Sequence, residues 1–390
     1  MKALEVYRSV PRYLAARTLA GRIPWAAGTA PVRLADKAAP AAPEGWVRLR
    51  TRLSGICGSD LATVSGGSSL YFSPLVSLPF TPGHEVLAET LDDSPGLAAG
   101  SRVVLDPVLG CVARGLTPCP SCADGDSGRC ARVTLGHVSP GLQTGFCADT
   151  GGGWSSELVA HPSQLYAVPD ELPDERAVLT EPLACSVHVA RRTACAAGAS
   201  VLLVGGGAVG LLTLLAMRVL TDAGRITAVA KHPRQAALAR ELGADAVVRP
   251  DEAVRDVRRA TGAVVLSPER GHDFLLGGVD VAVECTGTRA GLDLALRSTR
   301  AGGRVVLAGM PAGVDLTPVW FRELELVGAY ATGRDDFATA LRLLGDERLG
   351  ALVTSFHPLG RWREALDEAS SAGALGVTKV GFDLRTGAAA

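Results

Sequence analysis

The segment Val201–Leu220, VLLVGGGAVGLLTLLAMRVL, admits two folds that exclude each other. By hydropathy it is an apolar run close to the roughly 20 residues that cross a bilayer. By motif it holds Gly205-Gly206-Gly207-Ala208-Val209-Gly210, a G-x-G-x-x-G that follows an aliphatic strand and opens a helix. The glycines favour the second reading. Three of them would weaken a membrane helix, whereas a tight strand-to-helix turn requires them. Gly205 lets the chain turn, Gly207 lets backbone approach a pyrophosphate, and Gly210 lets helix pack on sheet. The new helix then points its first N–H groups, beginning near Ala208 and Val209, at the anion. Arg218 further spoils a membrane span.

The residues after the turn fit a βαβ unit. Arg225–Ala230, RITAVA, reads as a short strand, and Pro233–Leu242 as an amphipathic helix that stops at Gly243. The alternation continues from about Leu183 to Val327. Strands are expected at 201–204, 226–230, 246–248, 279–283, 304–308 and 324–329, and helices at 208–220, 233–242 and 289–300. Asp251–Gly278 is less regular and reads as a helix and a loop. Upstream of Pro169 the chain is rich in Gly, Pro and short apolar runs such as Trp46–Leu53 and Arg102–Leu105, a β-rich region with long loops. The segment 8–40 has no usable periodicity. The tail suggests helices at 336–344 and 361–370 and a strand at 378–382.

A chain of 390 residues exceeds one ordinary core and implies two domains. With 47% hydrophobic and 20% charged residues and a net charge of −1, nothing marks it for nucleic acid or an anionic membrane surface. The first residues, MKALEVYRSVPRYLAAR, scatter charge and lack a signal-type apolar core, so a cytoplasmic location is expected. Nine cysteines in a reducing compartment suit metal better than disulfides.

Two constellations could hold that metal. The first is Cys57 in SGICGSD, His84 and Glu85 in PGHE, and Glu181 in TEPLAC: thiolate, imidazole and carboxylate, the usual zinc donors. Each has a plain alternative, as a buried thiol, a turn histidine or the acid of a helix's first turn. The second is Cys111, Cys119, Cys122 and Cys130, spaced C-x7-C-x2-C-x7-C in a Pro/Gly-rich loop, which suits a closed four-thiolate site. Its alternative is a loop of unliganded thiols. Cys147, Cys185, Cys195 and Cys285 have no such spacing and read as core.

SGICGSD, PGHE, EPLAC, the Gly-rich turn, ECTG and the late ELELVGAY occur in one order over about residues 45–385. Together they resemble the zinc-containing medium-chain dehydrogenase/reductase family, in the branch of the sorbitol and threonine dehydrogenases. The resemblance implies an α/β protein: a GroES-like, β-rich catalytic domain at 1–182 and 328–390, interrupted by a Rossmann NADP(H)-binding domain at 183–327. It implies a catalytic zinc on Cys57, His84 and a carboxylate, with Glu85 a direct ligand and Glu181 at or just beyond bonding distance. It makes Ser59 the hydroxyl that relays the substrate proton and Asp60 the partner that orients a ligand histidine. Thr286, Ala308 and Met310 join the glycines as cofactor contacts. Two positions depart from the family's pattern. Leu116 occupies the first cysteine position of the structural-zinc lobe, with Cys111 five residues earlier. Ala62 stands where a histidine usually completes the proton relay.

The second strand of such a unit carries a carboxylate for the ribose 2′-OH when NAD is preferred. That position falls on Ala230, beside Lys231, His232 and Arg234. A missing acid and adjacent cations suit a 2′-phosphate, so NADP(H) is expected over NAD(H). The implied activity is hydride transfer between this cofactor and a small alcohol or carbonyl substrate by a homodimer or homotetramer. Two alternatives remain: a zinc-independent reductase of an activated C=C or C=N bond, and a non-catalytic NADP-binding sensor. For the substrate pocket, the loop Ser65–Pro79 with Tyr71 and Phe72, and the surroundings of Trp154 and Trp320, are the candidates.

Overall fold

The computed structural model describes residues 1–19, 29–310 and 313–385. Residues 20–28 of the unassigned N-terminal segment lie outside that set. The chain divides into two compact units, Met1–Glu181 with Thr332–Ala390, and Pro182–Ala331.

The first unit begins with β1 (Lys2–Val6), helix α1 (Val10–Leu19) and β2 (Val32–Asp36), with β1 and β2 paired antiparallel. The next strand, β3 (Val47–Gly55), explains why this region is a sheet. In VRLRTRL the residues alternate, so Val47, Leu49, Thr51 and Leu53 turn inward while Arg48 and Arg50 face solvent. Helix α2 (Gly58–Val64) follows directly, then β4 (Val86–Thr90), β5 (Arg102–Leu105), β6 (Glu157–Ala160) and β7 (Leu165–Ala167). β4 lies antiparallel between β3 and β5, and β6 pairs with β3. The turn between β3 and α2 therefore presents Cys57, and the entry to β4 presents His84 and Glu85.

After helix α3 (Thr180–Arg192) the second unit alternates strand and helix. It runs β8 (Val201–Val204), α4 (Ala208–Leu220), β9 (Ile226–Val229), α5 (Pro233–Glu241), β10 (Ala246–Val248) and α6 (Ala253–Thr261). β11 (Val264–Leu266) and β12 (Phe274–Leu276) form an antiparallel hairpin, and β13 (Val279–Glu284), α7 (Arg289–Ser298), β14 (Thr299–Leu307) and β15 (Glu325–Gly328) complete the unit. Six parallel strands stand in the order β10-β9-β8-β13-β14-β15, the doubly wound arrangement whose order reverses between β8 and β13. Every residue of β8 is buried, as are the eight consecutive residues Gly210–Met217 of α4. A helix covered on all sides is apolar all round, which accounts for the hydropathy of Val201–Leu220. Among the described residues no helix is long and apolar enough to cross a membrane.

The chain then returns to the first unit. β16 (Val353–Pro358), helix α8 (Trp362–Leu375) and β17 (Lys379–Asp383) form a parallel β-α-β, and β17 adds antiparallel to β3. The seven-stranded sheet thus runs β16-β17-β3-β4-β5-β7 with β6 also on β3. Besides α1 and β2, whose segment offered no usable periodicity, β16 and the β11–β12 hairpin escaped the sequence reading. β16, VTSFHP, has its residues half-buried and lacks strict alternation. The β11–β12 hairpin lies where a loop was expected, and it forms because Leu275 supplies a buried anchor for two short apolar runs.

Candidate active site and metal centres

The Cys57 sulfur, a His84 ring nitrogen and a Glu85 carboxylate oxygen come within 4.8 Å of one another. Local folding places each of them. Cys57 is the N-cap of α2, and its N–H donates to Asp60 Oδ2 at 3.0 Å. Asp60 Oδ1 in turn faces His84 Nδ1 at 3.4 Å, which leaves Nε2 for a ligand. Gly83, at φ +96°, makes the turn before His84; a Cβ there would press on Trp154 Cδ1 at 2.5 Å. Phe146 covers the imidazole with ring centroids 5.9 Å apart. Burial opposes a charge on His84, but Asp60 and the Cys57 sulfur outweigh it and hold its pKa well above the usual value. Thiolate, imidazole and carboxylate converging here, with His84 and Glu85 buried and Cys57 half-buried, fit zinc.

Lys379, which sequence reasoning passed over, completes the cluster. It is 6% exposed on β17, its Nζ donates to the Ile56 carbonyl at 3.1 Å, and it is ion-paired with Glu85 Oε2. Burial works against this ammonium, yet Glu85, then Cys57 and Glu181, raise its pKa above the ordinary lysine value. Gly55 makes room for the pair, because a Cβ there would collide with Glu85 Oε2 and sit 2.9 Å from Lys379 Cε. No local signal marks Lys379. The pair joins strands that are remote in sequence and meet only in the sheet.

The sulfurs of Cys111, Cys119, Cys122 and Cys130 also lie within 4.8 Å of one another, with Cys111 and Cys130 at 3.6 Å. The displaced Cys111 reaches because its turn is anchored. Arg114 is wholly buried and donates to the carbonyls of Leu109 (2.9 Å), Leu135 (3.0 Å), Val138 (3.0 Å) and Gly141 (2.6 Å). Leu116 packs against the cysteine cluster as an apolar neighbour. Backbone N–H groups of Ala131 and Cys122 push the Cys119 thiol down, while burial pushes Cys122 up. Four thiols in this arrangement fit a closed zinc site. Cys147 is buried among Leu109, Val138 and Val159, and burial raises the Cys285 thiol.

In the second unit, the crevice lies at the carboxyl ends of β8 and β13. Gly205, at φ +120°, turns the chain against Thr286, whose Cγ2 would be 2.9 Å from a Cβ at Gly205. A Cβ on Gly210 would strike the Gly205 carbonyl oxygen, so α4 packs onto the turn only through glycine. At Gly207 a Cβ would meet no protein atom within 4 Å and would enter the space before α4, the cradle a pyrophosphate needs. Ala208 and Val209 open α4. Thr286 and Ala308 follow β13 and β14, and the Met310 carbonyl oxygen lies 3.0 Å from where a Gly287 Cβ would stand. Ala230 is buried at the end of β9; Lys231 and Arg234 are exposed, with His232 the N-cap of α5. The cradle fits a dinucleotide.

Residues 43–170 match the alcohol dehydrogenase GroES-like domain, and residues 208–346 match the zinc-binding dehydrogenase domain. The chain belongs to the zinc-type medium-chain dehydrogenases. Within this family of oxidoreductases it falls on the sorbitol dehydrogenase-like branch. L-idonate 5-dehydrogenase of Vitis vinifera is 28% identical over 369 residues, which cover 92% of this chain and 94% of that one. The crystal structure of 2R,3R-butanediol dehydrogenase from Bacillus subtilis is similar with a TM-score of 0.70 at 25% identity, over 90% of this chain and 96% of that one. A zinc-binding dehydrogenase from Sinorhizobium meliloti 1021, solved bound to NADP, gives 0.69 at 26% identity over 90% and 95%.

Two sequence expectations for this medium-chain dehydrogenase are sharpened by the structure. Glu181, expected at or just beyond bonding distance, is not among the three residues that converge, and its carboxylate lies in the field of the Lys379 ammonium. Trp154 is a core residue with no exposed surface, edge-on to Phe382. Tyr71 and Trp320, by contrast, are each 81% exposed. Ser59 is half-buried on α2, and its carbonyl accepts from Thr63 Oγ1 at 2.9 Å.

Proposed function

We propose that this dehydrogenase passes hydride between NADP(H) and a small secondary alcohol, or the carbonyl derived from it, with zinc held by Cys57, His84 and Glu85. The observation that carries the reading is the convergence of these three donor types, two of them buried, at the junctions of β3 with α2 and of the Gly83 turn with β4. When bound there, zinc supplies a Lewis acid for the substrate oxygen. The protein's own residues do the rest. Asp60 orients His84, Lys379 sets the charge behind Glu85, and Ser59, two residues beyond Cys57, relays the substrate's hydroxyl proton, taking it up as it passes its own hydroxyl proton on toward water. The four-cysteine lobe holds a second, structural zinc. Glu181 bears on the cluster through the field it exerts on Lys379.

The cofactor reading rests on β9. Ala230 offers no carboxylate to a ribose 2′-OH, and Lys231, His232 and Arg234 bring cations or donors to the place a 2′-phosphate would take. The NADP-bound relative from Sinorhizobium meliloti supports it. Relatives named for L-idonate, sorbitol and (R,R)-butanediol all act on molecules with secondary hydroxyls, which supports a small diol or polyol as substrate class. The proposed setting is a cytoplasmic homo-oligomer.

Metal analysis combined with an alcohol and carbonyl panel tests this reading. The expected result is two zincs per chain, turnover lost on chelation, and a higher kcat/KM with NADP than with NAD. Turnover that survives chelation and acts on C=C or C=N bonds would replace it with the zinc-independent reductase. Nucleotide binding without turnover of any panel member would replace it with the sensor. Equal or better use of NAD would overturn the cofactor assignment alone.

A further inference from the structure

Glu284 ends β13, at the point where the strand order reverses, paired in register with Val204 on one side and Leu307 on the other. It is 1% exposed, and among the described residues no cation is paired with it. A buried carboxylate without a counter-charge is costly unless donors surround it. Here the donors are the main-chain N–H groups and one hydroxyl of the cofactor crevice. Oε1 accepts from the Thr286 N–H at 2.7 Å and from the Thr286 hydroxyl, and Oε2 accepts from the Gly287 N–H at 3.0 Å. The Glu284 carbonyl accepts from the N–H groups of Ala308 (2.9 Å) and Gly309 (3.0 Å). One residue therefore holds both the β13–α7 turn and the end of β14.

These connections reach the Gly-rich turn as well. Thr286 packs on Gly205, and Gly287 lies so close to Gly309 that a Cβ on Gly309 would come within 2.6 Å of the Gly287 Cα. The carboxylate also lies at the start of α7: a Cβ on Gly291 would approach Oε1 to 2.6 Å. Glu284 thus supplies the anion that the N-terminus of α7 favours. That leaves the N-terminus of α4, with its open space at Gly207, to take the dinucleotide phosphates.

We propose that Glu284 is a cofactor-positioning residue, fixing the spacing between Gly205, the Thr286–Gly287 turn and the Ala308–Gly309 segment so that the crevice is formed before the dinucleotide arrives. The inference rests on the NAD(P)-dependent reading of the crevice. Glu284 touches no reacting atom and acts through the main chain of its neighbours. Glu284→Gln keeps the shape but sets amide hydrogens against the N–H donors. Glu284→Asp keeps the charge but falls one methylene short of bridging both residues.

The test measures equilibrium binding of NADPH and NADH by fluorescence titration of the zinc-loaded enzyme, with melting temperature and zinc content recorded for each variant. The expected result is a Kd for the wild-type protein's preferred cofactor weakened about tenfold or more in Glu284→Gln, in line with loss of charge-assisted hydrogen bonds. Glu284→Asp should lie between it and wild type. In steady state, cofactor KM should rise more than kcat falls, and zinc content should not change. Cofactor Kd within about twofold of wild type in both folded variants, with only the melting temperature lowered, would make Glu284 a stability residue and overturn the proposal. If Glu284→Gln does not fold, Glu284→Asp decides it by the same Kd criterion. A wild-type protein that binds neither NADPH nor NADH overturns the dehydrogenase reading itself, and this inference with it.

Discussion

Replacing Lys379 by Met isolates what the buried charge behind Glu85 contributes. Methionine fills similar volume without the ammonium, so the change leaves a carboxylate that is 1% exposed with no counter-ion. Removing one partner of a buried pair costs about 3–5 kcal/mol, because the other charge is stranded in a low-dielectric site. At roughly 2–4 °C per kcal/mol for a unit of this size, the melting temperature should drop by about 6–20 °C. The loss should depend on metal. In metal-free protein Lys379 is the ion-pair partner of Glu85 among the described residues, whereas bound zinc brings further positive charge to the same carboxylate. Differential scanning calorimetry of Lys379→Met in metal-free and zinc-loaded forms should therefore give a clearly larger deficit without zinc. The double variant Glu85→Gln/Lys379→Met should be less destabilised than the sum of its single changes by well over 0.5 kcal/mol, roughly the size below which two sites count as independent. Additive effects, or the same deficit with and without zinc, would refute the idea that Lys379 balances Glu85.

Other parts of the molecule give three further expected outcomes. Cys111→Ser should lower bound zinc from two to one per chain by elemental analysis while the Cys57 site stays loaded; unchanged stoichiometry would mean Cys111 is not a ligand. Gly210→Ala should destabilise by about 1–3 kcal/mol, reversing the usual helix preference for alanine, because its Cβ strikes the Gly205 carbonyl; a raised melting temperature would contradict the packing. Burial, with Asp336 adding to it, pushes the Asp106 carboxyl up to about 6. The native state keeps this proton to higher pH than the unfolded chain, which releases it near 4, so stability falls as pH rises between about 4 and 6 and the deficit persists above. Asp106→Asn can still accept from the Val108 N–H (3.0 Å in the native protein) and should gain about 1–2 kcal/mol at pH 7–8 but nothing below pH 4; a gain that is flat across this range would refute the assignment.

The second unit was the most legible part of the chain. Its central strands β8, β9 and β13 are buried along nearly their whole length and its helices are amphipathic or enclosed, so periodicity over a few residues carries the assignment. The observed β8, α4 and β10 span the expected residues, and α5, β9 and β13 differ by a residue. The first unit was harder, since its sheet joins distant segments and a strand such as β16 is only half-buried. Cys57, His84 and Glu85 were found because short motifs surround them. Lys379 has no such motif.

The sequence by itself determined what depends on neighbours along the chain: the Gly-rich turn, the β-α alternation, the thiol spacing and the donor types for a metal. Tertiary structure decided which of those donors converge. It brought Cys111 to the other three thiols through the turn that Arg114 anchors, kept Glu181 outside the Cys57 cluster, and set Lys379 against Glu85. The physical reason is range. Turn geometry and side-chain periodicity act within a few residues and leave a trace in composition. Pairing a buried charge requires β17 and the entry to β4, hundreds of residues apart, to flank the same strand β3, and nothing local in either segment records its partner.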